Sequence, residues 1–395
     1  MLPTLTAPWL EGKNVSSGCA ALRDHGAYGT RAETMEARMG NDLDPVRLLR
    51  LEIQDFRGID HLVLDFPDDD PVMERAGALV LAGDNGAGKT SVLEAILLAF
   101  GRVDLLPSDT ASPAELTRQG ASDFLIRCVA EHRGRTSPWE INGESVRMLL
   151  TSLASTDPLS AYGSPLVSDS AKLMVRVFQG RSRIPWPRIE YFPAGVGLTR
   201  ALALAPGREA SRTTGSGIAD IQRRLINAHG RRGGAELFAR MNDFLRPFLG
   251  ARWQADVVYD AEAMDSERRV VLRDGELPEA GISLEAVRAR AAQGKAMPRV
   301  VPVDRLSAGQ KMLIATAAMF LLGDRPPDMV LFDEPEQHLH VTWQRSLVEG
   351  LRTLSPKTQF VMATHSPWVL DAVSHSERCE LRATDGPWST QDAAE

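Results

Sequence analysis

A glycine-rich loop between two apolar segments constrains the fold of this chain more than any other feature. Residues 78–82 form a wholly apolar run, as expected of a strand buried on both faces of a parallel sheet. Residues 90–100 show the apolar periodicity of a helix. Strand, loop and helix in this order predict a phosphate-binding loop in an α/β fold. The loop matches the pattern GxxxxGK[ST] in full, with Gly83, Asp84, Asn85, Gly86, Ala87, Gly88, Lys89 and Thr90.

The residue types of this loop, called the P-loop below, explain how it would hold phosphate. Glycines allow backbone N–H groups to curl around phosphate oxygens, and the N-terminus of the following helix adds partial positive charge. Lys89 is expected to reach the outer phosphates of a nucleotide, and Thr90 to ligate Mg²⁺. Ser91, the next residue of the helix, completes the predicted nucleotide-binding residues of this segment.

A second apolar run, residues 329–332, ends far downstream in the acids Asp333 and Glu334. Asp333 is expected to hold Mg²⁺ through water, and Glu334 is placed to polarise an attacking water. Strands that end in exposed acids are common, so this pattern alone would indicate little. Together with the P-loop it predicts nucleotide hydrolysis.

Two further segments carry groups that suit a phosphate. Ser307 precedes a buried apolar helix as its N-cap, and Ser307 with the N–H of Gly309 presents a second anion-binding helix end. His365 follows another apolar run, at residues 359–363. A plain N-cap and an incidental histidine would explain each of these features taken singly.

Along the chain the four segments follow in the order P-loop, Ser307 segment, Asp333–Glu334 and His365. In that order they resemble the motifs of the ABC ATPases. Residues 306–310 resemble the LSGGQ signature, with Ala308 where that family usually has Gly or Ser, and His365 resembles the switch histidine that contacts the γ-phosphate. The resemblance implies an α/β fold: an ABC-type P-loop NTPase head with a largely parallel central sheet, an antiparallel β subdomain and a helical insert or lid. It also implies ATP and Mg²⁺ as cofactors. Its partner would be a second copy, in a head-to-tail, ATP-dependent homodimer in which Ser307 and Gly309 complete the site of the opposite subunit.

The C-terminal motifs resemble one branch, the RecF/OLD-like bacterial ATPases that are often catalogued as AAA-family. Residues 333–344 and 359–367 follow that branch's patterns DEPExHLHPxWQ and QFIxxTHSP, with Val341 where proline is usual. Residues 51–58 look like its opening strand, and residues 187–194 like the strand before its lid. Similar stand-alone ATPases of Septu-like and retron-associated anti-phage systems act beside a separately encoded effector. The resemblance therefore implies gating of an effector, such as a nuclease, by ATP.

Other functions remain open beside this one. A DNA repair or replication ATPase of RecF type is the first alternative, and an ATP-binding scaffold that dimerises without useful turnover is the second. A transporter subunit is disfavoured, because no segment approaches the roughly 18 to 20 apolar residues that span a bilayer. The lack of heptad repeats disfavours an SMC-like protein. After His365 no Glu is followed by a DxD pair, so a TOPRIM nuclease domain in this chain is not expected.

Charge and cysteine content bound the partners and the compartment. The formal net charge of the 395 residues is −7, so contact with nucleic acid would need a local basic patch, and no membrane contact is expected. Three widely separated cysteines without metal-ligand spacing indicate a cytoplasmic protein. Solvated helix faces explain the basic residues as well as a nucleic-acid groove does. The candidates for such a patch are Arg181, Arg183, Arg188, Arg223, Arg224, Arg231 and Arg232.

The apolar pattern divides the chain into four predicted parts. Residues 1–45 are predicted to be a poorly ordered tail. Residues 1–38 could result from a start codon assigned too far upstream, since Met39 precedes the first patterned segment. An N-terminal lobe with the P-loop at 46–200, a helical and β insert or lid at 201–300, and a C-terminal lobe at 301–395 follow. Within these parts the pattern predicts strands at 46–56, 61–66, 124–131, 173–179, 253–259 and 269–273, a loop at 151–170, and helices over 218–248 and 286–293.

The sequence leaves the Q-loop glutamine undecided and disfavours a histidine metal site. Gln119 and Gln179 are both candidates for the glutamine of a Q-loop, and the sequence does not choose between them. His338 and His340 suggest a metal site, but no cysteine or third histidine lies near them in sequence. A histidine metal site is therefore not expected.

Overall fold

The computed structural model describes ten ranges of residues, all within the unit Asp44–Glu395. These ranges are 44–69, 75–106, 112–147, 187–194, 216–259, 268–274, 292–293, 299–323, 326–337 and 339–381. Nearly all of the predicted tail lies outside them, as do the predicted strand at 173–179, the loop at 151–170 and most of the helix at 286–293. Gln179, Arg181, Arg183 and His338 lie outside them as well.

A five-stranded parallel sheet forms the centre of the fold. Its strand order is β12-β3-β11-β10-β6, and every neighbouring pair is parallel. The three central strands are buried along their whole length, which explains their almost wholly apolar sequences. The strands are β3 (Ala78–Ala82), β6 (Ile189–Phe192), β10 (Met329–Asp333), β11 (Gln359–Ala363) and β12 (Arg378–Glu380).

Helices cover both faces of this sheet. Leu79 and Leu81 of β3 pack in a cluster with helix α1, whereas Val80 packs in a second cluster with α4, α5 and α6. Both clusters are apolar, so the sheet is covered on its two faces as parallel sheets require. The helices are α1 (Lys89–Ala99), α2 (Pro113–Leu116), α3 (Ser216–His229), α4 (Gly234–Leu249), α5 (Ala308–Leu321), α6 (Val341–Leu354) and α7 (Pro367–Leu370).

Two antiparallel sheets complete the described fold. A four-stranded sheet of order β2-β1-β4-β5 packs on α1, and a three-stranded sheet of order β7-β8-β9 lies among α3, α4 and α5. Their strands are β1 (Arg47–Phe56), β2 (Ile59–Asp65), β4 (Leu125–His132), β5 (Arg135–Asn142), β7 (Trp253–Tyr259), β8 (Arg268–Asp274) and β9 (Val300–Pro302).

The structure confirms the predicted strands at β1, β2, β4, β7 and β8, and it pairs β1 with β2 and β7 with β8 in antiparallel fashion. The predicted helical stretch 218–248 is divided into two helices, because the chain turns at residues 230–233 and Gly233 adopts a left-handed conformation with φ 89°. The prediction also missed the strands β5, β9 and β12. Among the described residues no helix is both long and apolar enough to cross a membrane.

Buried polar side chains tie the parallel sheet to the antiparallel one. The side-chain amide of Gln359 on β11 accepts a hydrogen bond from the Leu48 N–H and donates one to the Leu48 carbonyl, both at 2.9 Å. The Asp328 carboxylate accepts from the N–H groups of Val46 (3.3 Å) and Arg188 (2.6 Å). These contacts fix where β1 begins against the central sheet.

We expect the Gln359→Leu substitution to lower the free energy of unfolding by about 1–3 kcal/mol, because it leaves the buried polar groups of Leu48 unpaired. Urea denaturation measures this change, with Gln254→Leu at a half-buried position of β7 as the matched control. If both variants change the free energy of unfolding equally, Gln359 has no specific role in holding Leu48.

Candidate active site

Three neighbouring strands deliver the predicted site residues to one edge of the sheet. In the register of the sheet, Leu81 lies opposite Ala363, and Ala363 lies opposite Asp333. The segments that follow β3, β11 and β10 therefore leave the sheet side by side. The P-loop directly follows β3, Glu334 directly follows β10, and His365 is the second residue after β11. Ligand sites of open α/β sheets lie at this carboxyl edge.

Glycine is required in the P-loop for two different reasons. A Cβ on Gly83 would come within 2.1 Å of the Leu381 carbonyl oxygen, so no larger residue fits beside the C-terminal segment. Gly88, the N-cap of α1, has φ 88°, a left-handed conformation that glycine adopts without strain. The loop thus closes tightly over the N-terminus of α1, where unpaired N–H groups favour an anion.

Lys89 lies across the P-loop. Its Nζ donates hydrogen bonds to the carbonyl oxygens of Gly83 (2.8 Å) and Asp84 (3.0 Å), and only 6% of the residue is exposed. Burial lowers the pKa of Lys89, while the nearby carboxylates of Asp333 and Glu334 oppose that shift. The ammonium group is thus held beside the loop that would bind phosphate.

Thr90 and Asp333 meet across the sheet edge. The Thr90 hydroxyl donates a 2.9 Å hydrogen bond to Asp333 Oδ2. Burial raises the pKa of Asp333, and the hydrogen bond from Thr90 opposes the shift. A hydroxyl and a carboxylate at this spacing are the hard oxygen ligands that Mg²⁺ takes beside phosphates and water, so the residues present fit the ion. The described residues hold no cluster of three or more His, Cys, Asp or Glu placed for a metal.

Glu334 is held in a backbone conformation that its residue type seldom adopts. Its φ of 52° is left-handed, and its N–H donates a 2.8 Å hydrogen bond to the Ala363 carbonyl oxygen on β11. Conformations of this kind cost of the order of 1–3 kcal/mol and persist where the surroundings enforce them. The turn directs the carboxylate toward two partners: the Gln337 amide, which donates to its Oε2, and His365 Nε2, which lies 3.8 Å from its Oε1.

His365 is positioned through its backbone and its neighbours. The His365 N–H donates a 2.8 Å hydrogen bond to Glu336 Oε1. The Ser366 hydroxyl caps α7 and donates a 2.6 Å hydrogen bond to Gln344 Oε1 of α6. The imidazole remains about one-third exposed, as is the Glu334 side chain. The two side chains of the predicted catalytic pair therefore face one open space.

Sequence reasoning missed the residues that hold this pair, namely Glu336, Gln337 and Gln344. For Gln337 the signal that could have found it is spacing, because a side chain three residues after Glu334 can reach back across a turn. Glu336 and Gln344 contact His365 and Ser366, which are distant in sequence, so no local signal points to them.

Ser307 stands apart from the P-loop within one chain. It is exposed and caps α5 through reciprocal hydrogen bonds with Gln310, at 3.3 Å and 3.0 Å, while Gly309 is buried. None of the hydrogen bonds in the described part of the chain joins Ser307 to residues 83–90. Its assignment to a phosphate site stays a prediction.

The other candidate residues have structural neighbours of their own. The exposed Gln119 lies in the turn before β4, and Ser91 is half-buried in the first turn of α1. His340 is the N-cap of α6, where its ring nitrogen accepts from the Thr342 N–H. Arg188 pairs with Glu190 at 3.3 Å.

Two family models match the chain, and their segments contain the two halves of the site. One, "AAA domain", matches residues 50–140, which include the P-loop. The other, "AAA domain, putative AbiEii toxin, Type IV TA system", matches residues 296–371, which include Ser307, Asp333, Glu334 and His365.

Curated relatives match short segments of the chain. "Retron Vc95 probable ATPase" from Vibrio cholerae serotype O1 biovar El Tor is 34% identical over 88 residues, 20% of this chain and 17% of that protein. "DNA replication and repair protein RecF" from Anaeromyxobacter sp. (strain Fw109-5) is 40% identical over 81 residues, 20% of this chain and 19% of that protein. The matches thus span under a fifth of each relative's length. In the segments that carry the predicted site, the chain is therefore similar to ABC-class P-loop ATPases of the RecF/OLD-like kind.

Solved structures of ATPase heads are similar at low identity. The SMC head domain from Thermotoga maritima is 17% identical with a TM-score of 0.44, covering 88% of this chain and 100% of that one. A structure described as the recombination mediator protein RecF-ATPrS is 12% identical with a TM-score of 0.41, covering 88% and 99%. The similarity to ABC-class ATPases rests on the sequence matches and the motifs.

Gln337 gives a test of how the candidate site positions Glu334. We expect Gln337→Leu to lower ATP turnover about tenfold or more while ATP affinity stays unchanged, because misplacing a catalytic group costs rate rather than binding. Steady-state kinetics with a separate nucleotide-binding titration measure both quantities. An affinity that falls as much as the turnover would mean that the variant disturbs the whole site and that Gln337 has no specific positioning role.

Proposed function

We propose that this protein hydrolyses ATP to ADP and phosphate in two sites, which form when two copies associate head to tail around the nucleotide. One observation carries the proposal: Lys89, the Thr90–Asp333 pair and the Glu334–His365 pair lie at a single sheet edge. Phosphoryl transfer needs positioning and charge stabilisation more than covalent chemistry, and these groups supply both.

Each group has a defined part in the proposed reaction. The P-loop N–H groups and Lys89 bind the phosphates. Glu334 orients the attacking water and takes its proton while the bond between the γ-phosphorus and the bridging oxygen breaks. His365 contacts the γ-phosphate and, with Gln337, keeps the Glu334 carboxylate in place. Thr90 and Asp333 would hold Mg²⁺, which when bound neutralises charge on the phosphate oxygens.

The proposed dimer accounts for the position of Ser307. Ser307 is exposed at the N-terminus of a buried helix, and its hydrogen bonds are to Gln310 of its own cap. A helix end of this kind favours an anion. In a head-to-tail pair, Ser307 and Gly309 of one subunit would meet the nucleotide held by the P-loop of the other.

We expect Glu334→Gln to bind ATP normally, to hydrolyse it about a hundredfold more slowly or worse, and to accumulate as a closed dimer, because the amide cannot take the proton from water. Phosphate release and mass photometry with ATP and Mg²⁺ measure the two effects. Glu236→Gln, exposed on α4, is the control. Turnover at the wild-type rate in Glu334→Gln would remove Glu334 from the mechanism.

The biological role that we propose is gating of a separately encoded effector, of nuclease type, in anti-phage defence. The support is a similarity of sequence: the retron relative and the family model described with a type IV TA system both match this chain. ATP-dependent closure would supply the two states that such gating needs. The assembly could extend beyond a dimer when the effector binds.

The trapped Glu334→Gln dimer tests this role. We expect it to recruit the product of a neighbouring gene in mass photometry when ATP and Mg²⁺ are present, and to release it without nucleotide. Lys89→Ala, which should not bind ATP, is the control. ATP-dependent dimers that ignore every neighbouring product would contradict the effector role while leaving the ATPase intact.

The RecF relative favours one alternative, an ATPase that acts on DNA in repair or recombination. This alternative predicts DNA affinity that falls steeply with salt, by roughly one log unit for each phosphate contact per decade of salt concentration. Binding that is absent or insensitive to salt would remove DNA from the account.

A further inference from the structure

A cavity of about 650 Å³ lies away from the P-loop, between α3, the start of β8 and the turn Val303–Arg305. Among the residues that the structure describes, three arginines and one acid, Asp304, line it. Arg223 comes from α3, and Arg268 and Arg269 come from β8. The sequence singled out Arg223 but not the two arginines of β8, which only the fold brings beside it.

The cavity lies along a face of α3 that borders the core. Ala219, Arg223 and Ile226 follow one another at helical spacing along that face, and Ile226 also packs against the core cluster that contains Ile221 and Leu225. The cavity therefore combines guanidinium groups with a small apolar surface. Gln222 and Asn227 add amide groups that can donate hydrogen bonds.

We propose that this cavity binds a small phosphate-bearing molecule of about mononucleotide size. Arginine is the side chain best suited to phosphate, because its planar N–H groups bind two oxygens at once. The cavity volume lies in the range of small-molecule sites, and Ala219 and Ile226 can contact an apolar portion of the ligand. The binding claim does not depend on ATP hydrolysis.

The position of the cavity links its occupancy to Ser307. β8 pairs with β9, with Leu272 opposite Val301, and β9 leads into the turn that carries Asp304. Ser307 follows that turn after one residue, Leu306. A ligand whose phosphate binds Arg268 and Arg269 and whose hydroxyl donates to the Asp304 carboxylate would therefore steady the N-terminus of α5. The claim that this changes the ATP site rests on the proposed function.

Binding is tested in the Lys89→Ala protein, so that the P-loop does not compete. Isothermal titration with inorganic pyrophosphate and with AMP, at fixed ionic strength, is expected to show saturable binding of at least one probe. Arg223→Gln/Arg268→Gln should weaken it at least about tenfold, the scale of one lost charge-assisted hydrogen bond. Ala219→Trp, which fills the cavity and keeps its arginines, should weaken it as well. Arg231→Gln/Arg232→Gln, exposed in the turn between α3 and α4, is the matched control.

Three outcomes would overturn the proposal. The first is that neither probe binds the Lys89→Ala protein. The second is that the cavity variants and the control change binding equally. The third is binding of only a 5′-phosphorylated oligonucleotide, with steep salt dependence, which would identify a nucleic-acid surface instead.

Hydrogen exchange in the same Lys89→Ala protein tests the link to Ser307. AMP, whose ribose hydroxyls can donate to the Asp304 carboxylate, is expected to slow amide exchange at residues 303–310. Binding without that protection would refute the link alone, and neither result depends on ATP turnover.

Discussion

The hydrogen bond between Thr90 and Asp333 depends on the alignment of strands that are far apart in sequence. β11 separates β3 from β10, so all three strands must end at the same level for the contact to form. Backbone hydrogen bonds continue this alignment past the strand ends. The Thr364 N–H donates to Leu81 O at 3.0 Å, and the Glu334 N–H donates to Ala363 O at 2.8 Å. The groups proposed for catalysis are thus extensions of the sheet itself.

The β1–β2 hairpin of the antiparallel sheet packs against the end of the P-loop and against α1. Ile59, at the tip of the β1–β2 hairpin, lies 3.4 Å from where a Cβ on Gly88 would be. Arg57 in the same turn forms a 2.8 Å ion pair with Glu94, which is buried on α1. Burial raises the pKa of Glu94 to about 7, and the charge of Arg57 opposes that shift. The hairpin therefore contacts α1 at two points, its N-cap Gly88 and Glu94 in its middle.

Sequence reasoning found the elements whose signal is local. The buried strands, the P-loop and the acids after β10 could be predicted because each combines an apolar run with an unusual residue pattern. It could not find Gln337 or Glu336 as positioning residues, because their partners are set by the turn after β10 and by its contact with β11. β12 was missed because three residues with two exposed charges show no strand pattern until β3 pairs with them. The cavity arginines are a similar case, because only the fold brings Arg268 and Arg269 beside α3.

Mixing two inactive variants tests most directly whether two chains share each ATP site. Lys89→Ala should lose nucleotide binding, and Ser307→Arg should bind ATP but fail to close the dimer. A mixed dimer of the two contains one site with both residues intact, so random mixing should restore about a quarter of the wild-type ATPase activity. Activity that stays absent, with mixed dimers shown to form, would contradict a site built from both subunits.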